Sequence, residues 1–403
     1  MTAALQEERA WRFQDHAKLP DRLLMLGVVI LWPFIAATLA TQQVYRLGAR
    51  VRREAGIGRL RQWAGQMQIA LRWLMWPQHY YMFELYRPGQ LAKAQAYLLR
   101  AQTKEGAYPL FKNKTMSGYP DHPFKDKAAF ATLCQQRQLA VAPTLLAGEA
   151  DGRVTWPEGV TDLPAADLFL KPRTGQGGRG AERWRFRDGA WHRGDRHLDQ
   201  AGMIAYCRDL SRRHPMLVQP CLVNHPDLSD LAIGALATIR LVTVQDMNNA
   251  PKAVAAAFRM PANAQSVVDN FHAGGIAAAV DIETGHLGPA TDIGLLPDSA
   301  WHEKHPITGA QIAGRQLPAW TQTKTLAVTA HAVFANRVAI GWDIAVTPQG
   351  PVIVEANGFP DLDIIQRTQG KPLADMEIGH LFAHHLARLK AAYIAGGLRE
   401  VKD

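Results

Sequence analysis

The sequence predicts an α+β fold in which antiparallel hairpins are interspersed with helices, and three features carry that expectation. ERWRFRDGAWHR alternates around Asp188-Gly189, a strong hairpin signal. GWDIAVTPQGPVIVEANGF forms a second hairpin pattern near the carboxyl end, with Gly350 in its turn. Helical segments fall between or after such strands, not one after each. That argues against a doubly wound parallel sheet, and the dinucleotide-binding G-x-G-x-x-G unit is not supported. With 403 residues, 47% hydrophobic and 20% charged, the chain has apolar material for two or three packed units. Its 45 lysines and arginines against 36 acids give a net charge of +9, which suits phosphate, nucleic acid or an anionic membrane face without choosing among them. Cys134, Cys207 and Cys221 are odd in number and not closely spaced. They exclude a disulfide scaffold and a cysteine zinc site, and they fit a reducing compartment.

In chain order, residues 1–80 read as a helical leader. Leu23 to Thr41 (LLMLGVVILWPFIAATLAT) runs for nineteen residues without a charge. At the helical rise this is about 28 Å, close to the roughly 30 Å of a bilayer core. A membrane segment at 23–41 is therefore expected, the alternative being a buried core helix kinked at Pro33. Arginine is denser after the run (Arg46, Arg50, Arg52, Arg53, Arg59, Arg61) than before it (Arg9, Arg12, Lys18, Arg22), which places the body of the protein on the cytoplasmic side of the inner membrane. Trp63 to Trp76 would lie in the membrane interface or pack on the main body.

Residues 81–150 form a helical segment with Lys127. Leu91 to Lys104 has a helical pattern, and Asp126 caps a helix over DKAAFATLCQQRQL. Residues 151–222 form a smaller unit: AVAPTLLAG leads in as a short strand, LFLKPR is a buried strand ending in a glycine-rich loop, and PMLVQPCL is another strand. Residues 223–397 form a larger unit with strands ATIRLVTVQD, KAVAAAFRM, GIAAAVDI, AIGWDIAV and PVIVEAN, and helices at Thr325–Phe334 and Glu377–Ala395.

The last hairpin carries the first chemical signal. If Pro348-Gln349-Gly350 is a three-residue turn, Asp343 lies opposite Glu355, and Asn357 shares the face of Glu355. Facing carboxylates repel, and the apolar run Val352-Ile353-Val354 argues for burial. A hard divalent cation would remove the conflict, since an oxygen-only donor set with an amide suits magnesium. An exposed hairpin with two solvated acids is the ordinary alternative. The second signal is LFLKPRTGQGGRG, in which a strand delivers Lys171 to a loop with Gly175, Gly177, Gly178 and Gly180. Glycines bring backbone N–H groups close to phosphate oxygens, and lysine adds a fixed charge. This is not the Walker arrangement, where the lysine follows the glycines. Together the two signals describe a nucleoside-triphosphate site.

The order Lys127, Lys171 before TGQGGRG, LVQPCL, then Asp343 with Glu355-x-Asn357 resembles the ATP-grasp superfamily. FELYRP, ATIRLVTV, NFHAGGIAAAVDIETG and VEANGFPDLDIIQ are similar to its sugar-transfer-associated branch, over roughly Tyr80 to Ala395. The resemblance implies two α+β subdomains gripping ATP. Lys127 and Lys171 would hold the α- and β-phosphates under the Gly175–Gly180 loop, and Gln219, Pro220, Cys221 and Leu222 would form the adenine hinge. Asp227 or His225 would reach the ribose, and Asp343, Glu355 and Asn357 would bind magnesium. The implied activity joins a carboxylate to an amine through an acyl phosphate, with ATP and Mg2+ as cofactors and a link to cell-surface polysaccharide or sugar modification. The alternatives are phosphoryl transfer to a sugar or lipid hydroxyl, and a nucleotide-binding membrane module without turnover. Partners would be a small-molecule carboxylate and its nucleophile, with a membrane or lipid-linked partner and no nucleic acid.

Arg240 and Arg259, both on strands, are expected to act with Lys171 in catalysis, on the transferring phosphoryl group or the acceptor carboxylate, with a structural ion pair as the alternative. Asn270, His272 and Gly274 would form a loop over the substrate. One position departs from the superfamily's amino-acid ligases: the arginine expected two residues before the hairpin aspartate is Gly341. His380, His384 and His385 lack the glutamate of the metalloprotease motif and are not expected to bind metal.

Overall fold

Two antiparallel sheets, each of seven strands, carry the fold. They are seen in a computed structural model that describes residues 19–111, 124–175, 180–262, 271 and 274–394. The smaller-unit sheet is built from β1 (Leu146–Gly148), β2 (Val154–Thr155), β3 (Leu168–Pro172), β4 (Glu182–Arg187), β5 (Ala190–Arg193), β6 (Arg196–Leu198) and β7 (Met216–Pro220), in the order β2-β1-β7-β3-β4-β5-β6. The second sheet comprises β8 (Thr238–Gln245), β9 (Pro251–Met260), β10 (Ile276–Val280), β11 (Leu287–Thr291), β12 (Trp301–His302), β13 (Ala339–Thr347) and β14 (Gly350–Asn357), ordered β12-β11-β10-β9-β8-β13-β14.

Side-chain alternation divides the second sheet's core in two. Ile239, Leu241, Phe258, Ile340 and Trp342 pack with Phe334 and the helix Trp320–Val333 on one face. Val242, Val244, Ala255 and Ala257 pack with Ile364, Ile365 and Phe382 on the other. The first sheet is covered by Met203 and Cys207 of the helix Gln200–Arg213. Asp188 and Gly189 take positive φ angles of 51° and 77°, as the two-residue turn between β4 and β5 demands.

Asp343 faces Glu355 as expected, by a different route. Thr347 pairs with Gly350, so the turn has one residue fewer than the sequence suggested. A bulge at Val354, between the pairs Ile344–Ile353 and Asp343–Glu355, restores the register. The helix expected at Thr325 starts at Trp320, and the helical pattern after Leu91 forms a short 3-10 turn, Leu91–Ala96.

The leader folds as a long helix α1 (Leu19–Ala55) and an antiparallel helix α2 (Arg59–Trp73). Here the expected membrane span is corrected. Among the described residues no helix is long and apolar enough to cross a membrane. Ala36 and Ala40, inside the proposed span, are fully buried, and Trp32 Nε1 donates to the Ala70 carbonyl at 2.8 Å. Arg50 fastens α1 to the second sheet's unit through the carbonyls of Leu296 (2.8 Å) and Gly294 (3.0 Å).

Candidate functional site

Because Ile239 and Leu241 point into one core, Arg240 between them points to the opposite face. The same alternation turns Asp343 away from Trp342. Register then sets Asp343 between Arg240 on β8 and Glu355 on β14. Arg240 Nε donates to Asp343 Oδ1 at 2.6 Å and Nη2 to Oδ2 at 3.2 Å, while Arg259 Nη2 lies 3.2 Å from Oδ2. Burial alone would raise the Asp343 carboxyl, but the two guanidinium groups outweigh it and hold it below the usual carboxylate range. Arg240 is pushed up, because Asp343, Asp361 and Glu355 overcome its burial.

The lysines come from a helix packed on the second sheet's core and from a strand of the first sheet. Lys127 is the first residue of α3 (Lys127–Gln136), fixed there because Asp126 caps the helix by accepting from the N–H groups of Ala128 and Ala129. Its Nζ donates to the Gly175 carbonyl at 2.8 Å and stands 3.6 Å from Glu355 Oε1. Lys171, on β3, is buried. Burial pushes its ammonium down to about 8; Glu355 and Asp343 work against that, and Lys127 adds to it.

A feature missed in the sequence joins the two lysine carriers. Arg173 donates to Asp126 at 2.6 and 3.2 Å and to Glu149 at 2.5 Å, and the Lys127 N–H donates to the Arg173 carbonyl at 3.0 Å. Asp126 was legible as a cap; its pairing with Arg173 is a tertiary contact with no local signal.

The remaining expectations separate. Gln219 is buried and donates to the Ala142 carbonyl at 3.0 Å, so its side chain braces the backbone instead of facing a nucleobase. Pro220 has no N–H to offer, and the Cys221 N–H donates to the Asp167 carbonyl at 2.9 Å. Asp227 has an exposed side chain near His225, at 3.7 Å. Gly274 is exposed with φ +94°; Gly177, Gly178, Asn270 and His272 lie outside the described residues. His385 is a core histidine whose Nε2 meets the Gln245 carbonyl at 2.7 Å.

The expected metal set is two carboxylates and an amide, Asp343, Glu355 and Asn357. Among the described residues no group of three or more His, Cys, Asp or Glu gathers as a metal site. Both oxygens of Asp343 already meet arginine donors. Glu355 has no arginine partner, and Asn357 keeps its amide nitrogen buried without a hydrogen-bond partner among the described residues. Glu355 and Asn357 are thus the open positions, with Asp343 in support, and this hard oxygen set fits magnesium. At Gly341 a Cβ would stand 2.8 Å from Pro360 Cβ and 3.6 Å from Arg240 Cδ. No arginine fits there; Arg240 and Arg259 flank Asp343 in its place.

The sequence profile described as "Sugar-transfer associated ATP-grasp" matches residues 110–379. No curated protein matches the chain. Among solved structures, D-cycloserine synthetase DcsG aligns at 14% identity with a TM-score of 0.34, covering 66% of this chain and 71% of its own. The D-alanine–D-alanine ligase from Bacillus anthracis aligns at 11% identity with a TM-score of 0.34, covering 68% of each chain. The ATP-grasp ligase PsnB with minimal precursor, Mg and ADP aligns at 14% identity with a TM-score of 0.33, covering 66% of this chain and 59% of its own.

Proposed function

Since the chain belongs to the sugar-transfer-associated ATP-grasp family, we propose that it is an ATP- and magnesium-dependent ligase that activates a carboxylate as an acyl phosphate and passes it to an amine. One observation carries this reading. Lys127, Lys171, Arg240 and Arg259 gather around Asp343 and Glu355, with Asp361 acting on Arg240 from nearby, so cations outnumber acids in a largely buried cleft. Such an excess is costly unless a polyanion enters. A nucleoside triphosphate with one divalent cation is such a polyanion.

In the reaction, an oxygen of the acceptor carboxylate attacks the γ-phosphorus as the bond to ADP breaks. The amine then attacks the acyl carbon; phosphate leaves, the amine loses a proton and an amide remains. Lys127 and Lys171 would neutralise phosphate charge, and Arg240 and Arg259 hold the Asp343 carboxylate in place. Glu355 and Asn357, with Asp343, would hold magnesium, which supplies further charge neutralisation on the phosphates. Following the family's sugar-transfer association, we place the acceptor among carboxylates of cell-surface sugars or their precursors.

The test supplies the full chain with ATP, magnesium and a panel of sugar acids, with and without hydroxylamine. ADP together with hydroxamate, both lost in Glu355→Ala, is the expected result. ADP without hydroxamate on any acceptor, accompanied by a phosphorylated hydroxyl, would replace the ligase with a phosphotransferase.

A further inference from the structure

The α1–α2 hairpin uses only part of its apolar surface for packing. Ala36, Ala40, Val44, Leu47 and Val51, recurring at three- and four-residue spacings, are the buried stripe of α1. On its other side Ile30, Leu31 and Phe34 are 62%, 55% and 71% exposed. At the matching end of α2, Leu71, Leu74 and Trp76 are 53%, 54% and 48% exposed. The two groups lie at one level, because the rings of Trp32 and Trp76 meet edge to face at 5.2 Å. The Arg72 guanidinium sits over the Trp73 ring at 5.3 Å beside them. Tryptophan and arginine at the margin of an apolar patch is the composition of a membrane–water boundary.

Charge on the rest of the hairpin selects the occupant. From Ile30 to His79 there are seven arginines, no lysine and one acid, Glu54. Arg46, Arg52, Arg53, Arg59 and Arg61 are exposed. An apolar end that continues along one helix into a basic stretch matches an anionic lipid surface. A span is too long for what is left. Packing on α2 takes Trp32 onward, so the uncharged stretch from Leu23 to Leu31 amounts to about 14 Å of helix against a core of roughly 30 Å.

We propose that this hairpin seats the protein on an anionic bilayer, its Ile30–Phe34 and Leu71–Trp76 end dipping into the acyl boundary and its arginines lying on the headgroups. The full chain should co-sediment with phosphatidylcholine vesicles containing phosphatidylglycerol, and less with phosphatidylcholine alone. Phe34→Asp with Leu74→Asp should weaken that binding about tenfold or more, from the apolar area withdrawn. Arg52→Gln with Arg53→Gln should lower the phosphatidylglycerol preference, with binding to phosphatidylcholine alone unchanged. An environment-sensitive dye at Phe34→Cys should shift to the blue on vesicles, and one at Glu283→Cys should not. All of these side chains are exposed, so an unchanged Tm checks that the variants fold. Failure to bind phosphatidylglycerol vesicles, or binding indifferent to the aspartate pair, would overturn the proposal. So would a lipid-free dimer abolished by Phe34→Asp in a protein that ignores vesicles, since the occupant would then be a second copy.

Discussion

A single added carbon at Gly341 would stand 2.8 Å from Pro360 Cβ, closer than side chains approach one another, so Gly341→Ala must displace either Pro360 or the strand. We expect a loss of about 1–3 kcal/mol. Asp343→Ala should lose more, about 3–5 kcal/mol, because it leaves Arg240 buried without its anion. Urea denaturation of the two variants side by side checks the order; an Asp343→Ala no weaker than Gly341→Ala would mean that Arg240 finds another partner. At this scale much was legible. The types and spacing of Lys171, Asp343 and Glu355 pointed to one cleft, and Arg240 and Arg259 were placed near it. What the sequence could not show is that both arginines spend donors on Asp343, since that depends on pairing across β8, β9 and β13. For Gln219 the strand was legible, but nothing local revealed the Ala142 carbonyl waiting beside it.

Among elements, α3 links local chemistry to the cleft. Asp126 caps the helix that starts with Lys127 and also receives Arg173, whose carbonyl binds the Lys127 N–H. Asp126→Ala should therefore cost about 0.5–2 kcal/mol of stability as a lost cap. It should also raise the KM for ATP more than it lowers kcat, by loosening Lys127. Asp126→Asn keeps a cap and loses only the charge, so steady-state kinetics should place it between the two; a KM unmoved in both variants would detach the cap from nucleotide binding. The long strands and the Asp-Gly hairpin were readable from alternation and turn chemistry. The strands β2 and β12, of two residues each, were not, because so short a run has no pattern of its own and exists by pairing with a neighbour. The acidic hairpin was legible for the wrong reason: the turn is shorter than supposed, and the bulge at Val354 makes up the difference.

Across the whole molecule, burial of histidine ties stability to pH. His79 lies in the leader and His331 beneath the second sheet, and burial pushes both from 6.5 down to about 4, against the raising effect of the Trp76 and Arg337 carbonyls. The folded state thus binds fewer protons than the unfolded chain between those values. Stability is complete above pH 6.5 and falls as the pH drops toward 4, by up to about 1.4 kcal/mol per unit for each group. Tm measured from pH 7 to 4.5 should decline, and more gently in His331→Asn; an equal slope would place the burden on other groups. The leader is bound to this whole by Arg50, through the carbonyls of Leu296 and Gly294, and just after it Glu84 pairs with Arg367 at 2.9 Å and accepts from Trp301 Nε1 at 2.8 Å. Its helical character was legible, but its partner surface was not, and an uncharged run of membrane length turned out to be half consumed by packing. The strand order has one more consequence, for how the protein behaves in a crowd of its own copies. Three of the four outermost strands have only two or three residues, too few to template another chain. The fourth, β14, is long, and the chain crossing between the sheets is stitched to it where Ile353 exchanges hydrogen bonds with Ala140 and Ala142, both at 2.9 Å. Strand-to-strand aggregation is thereby discouraged at every edge, and the part of β14 beyond that stitch is the part that carries Glu355 and Asn357.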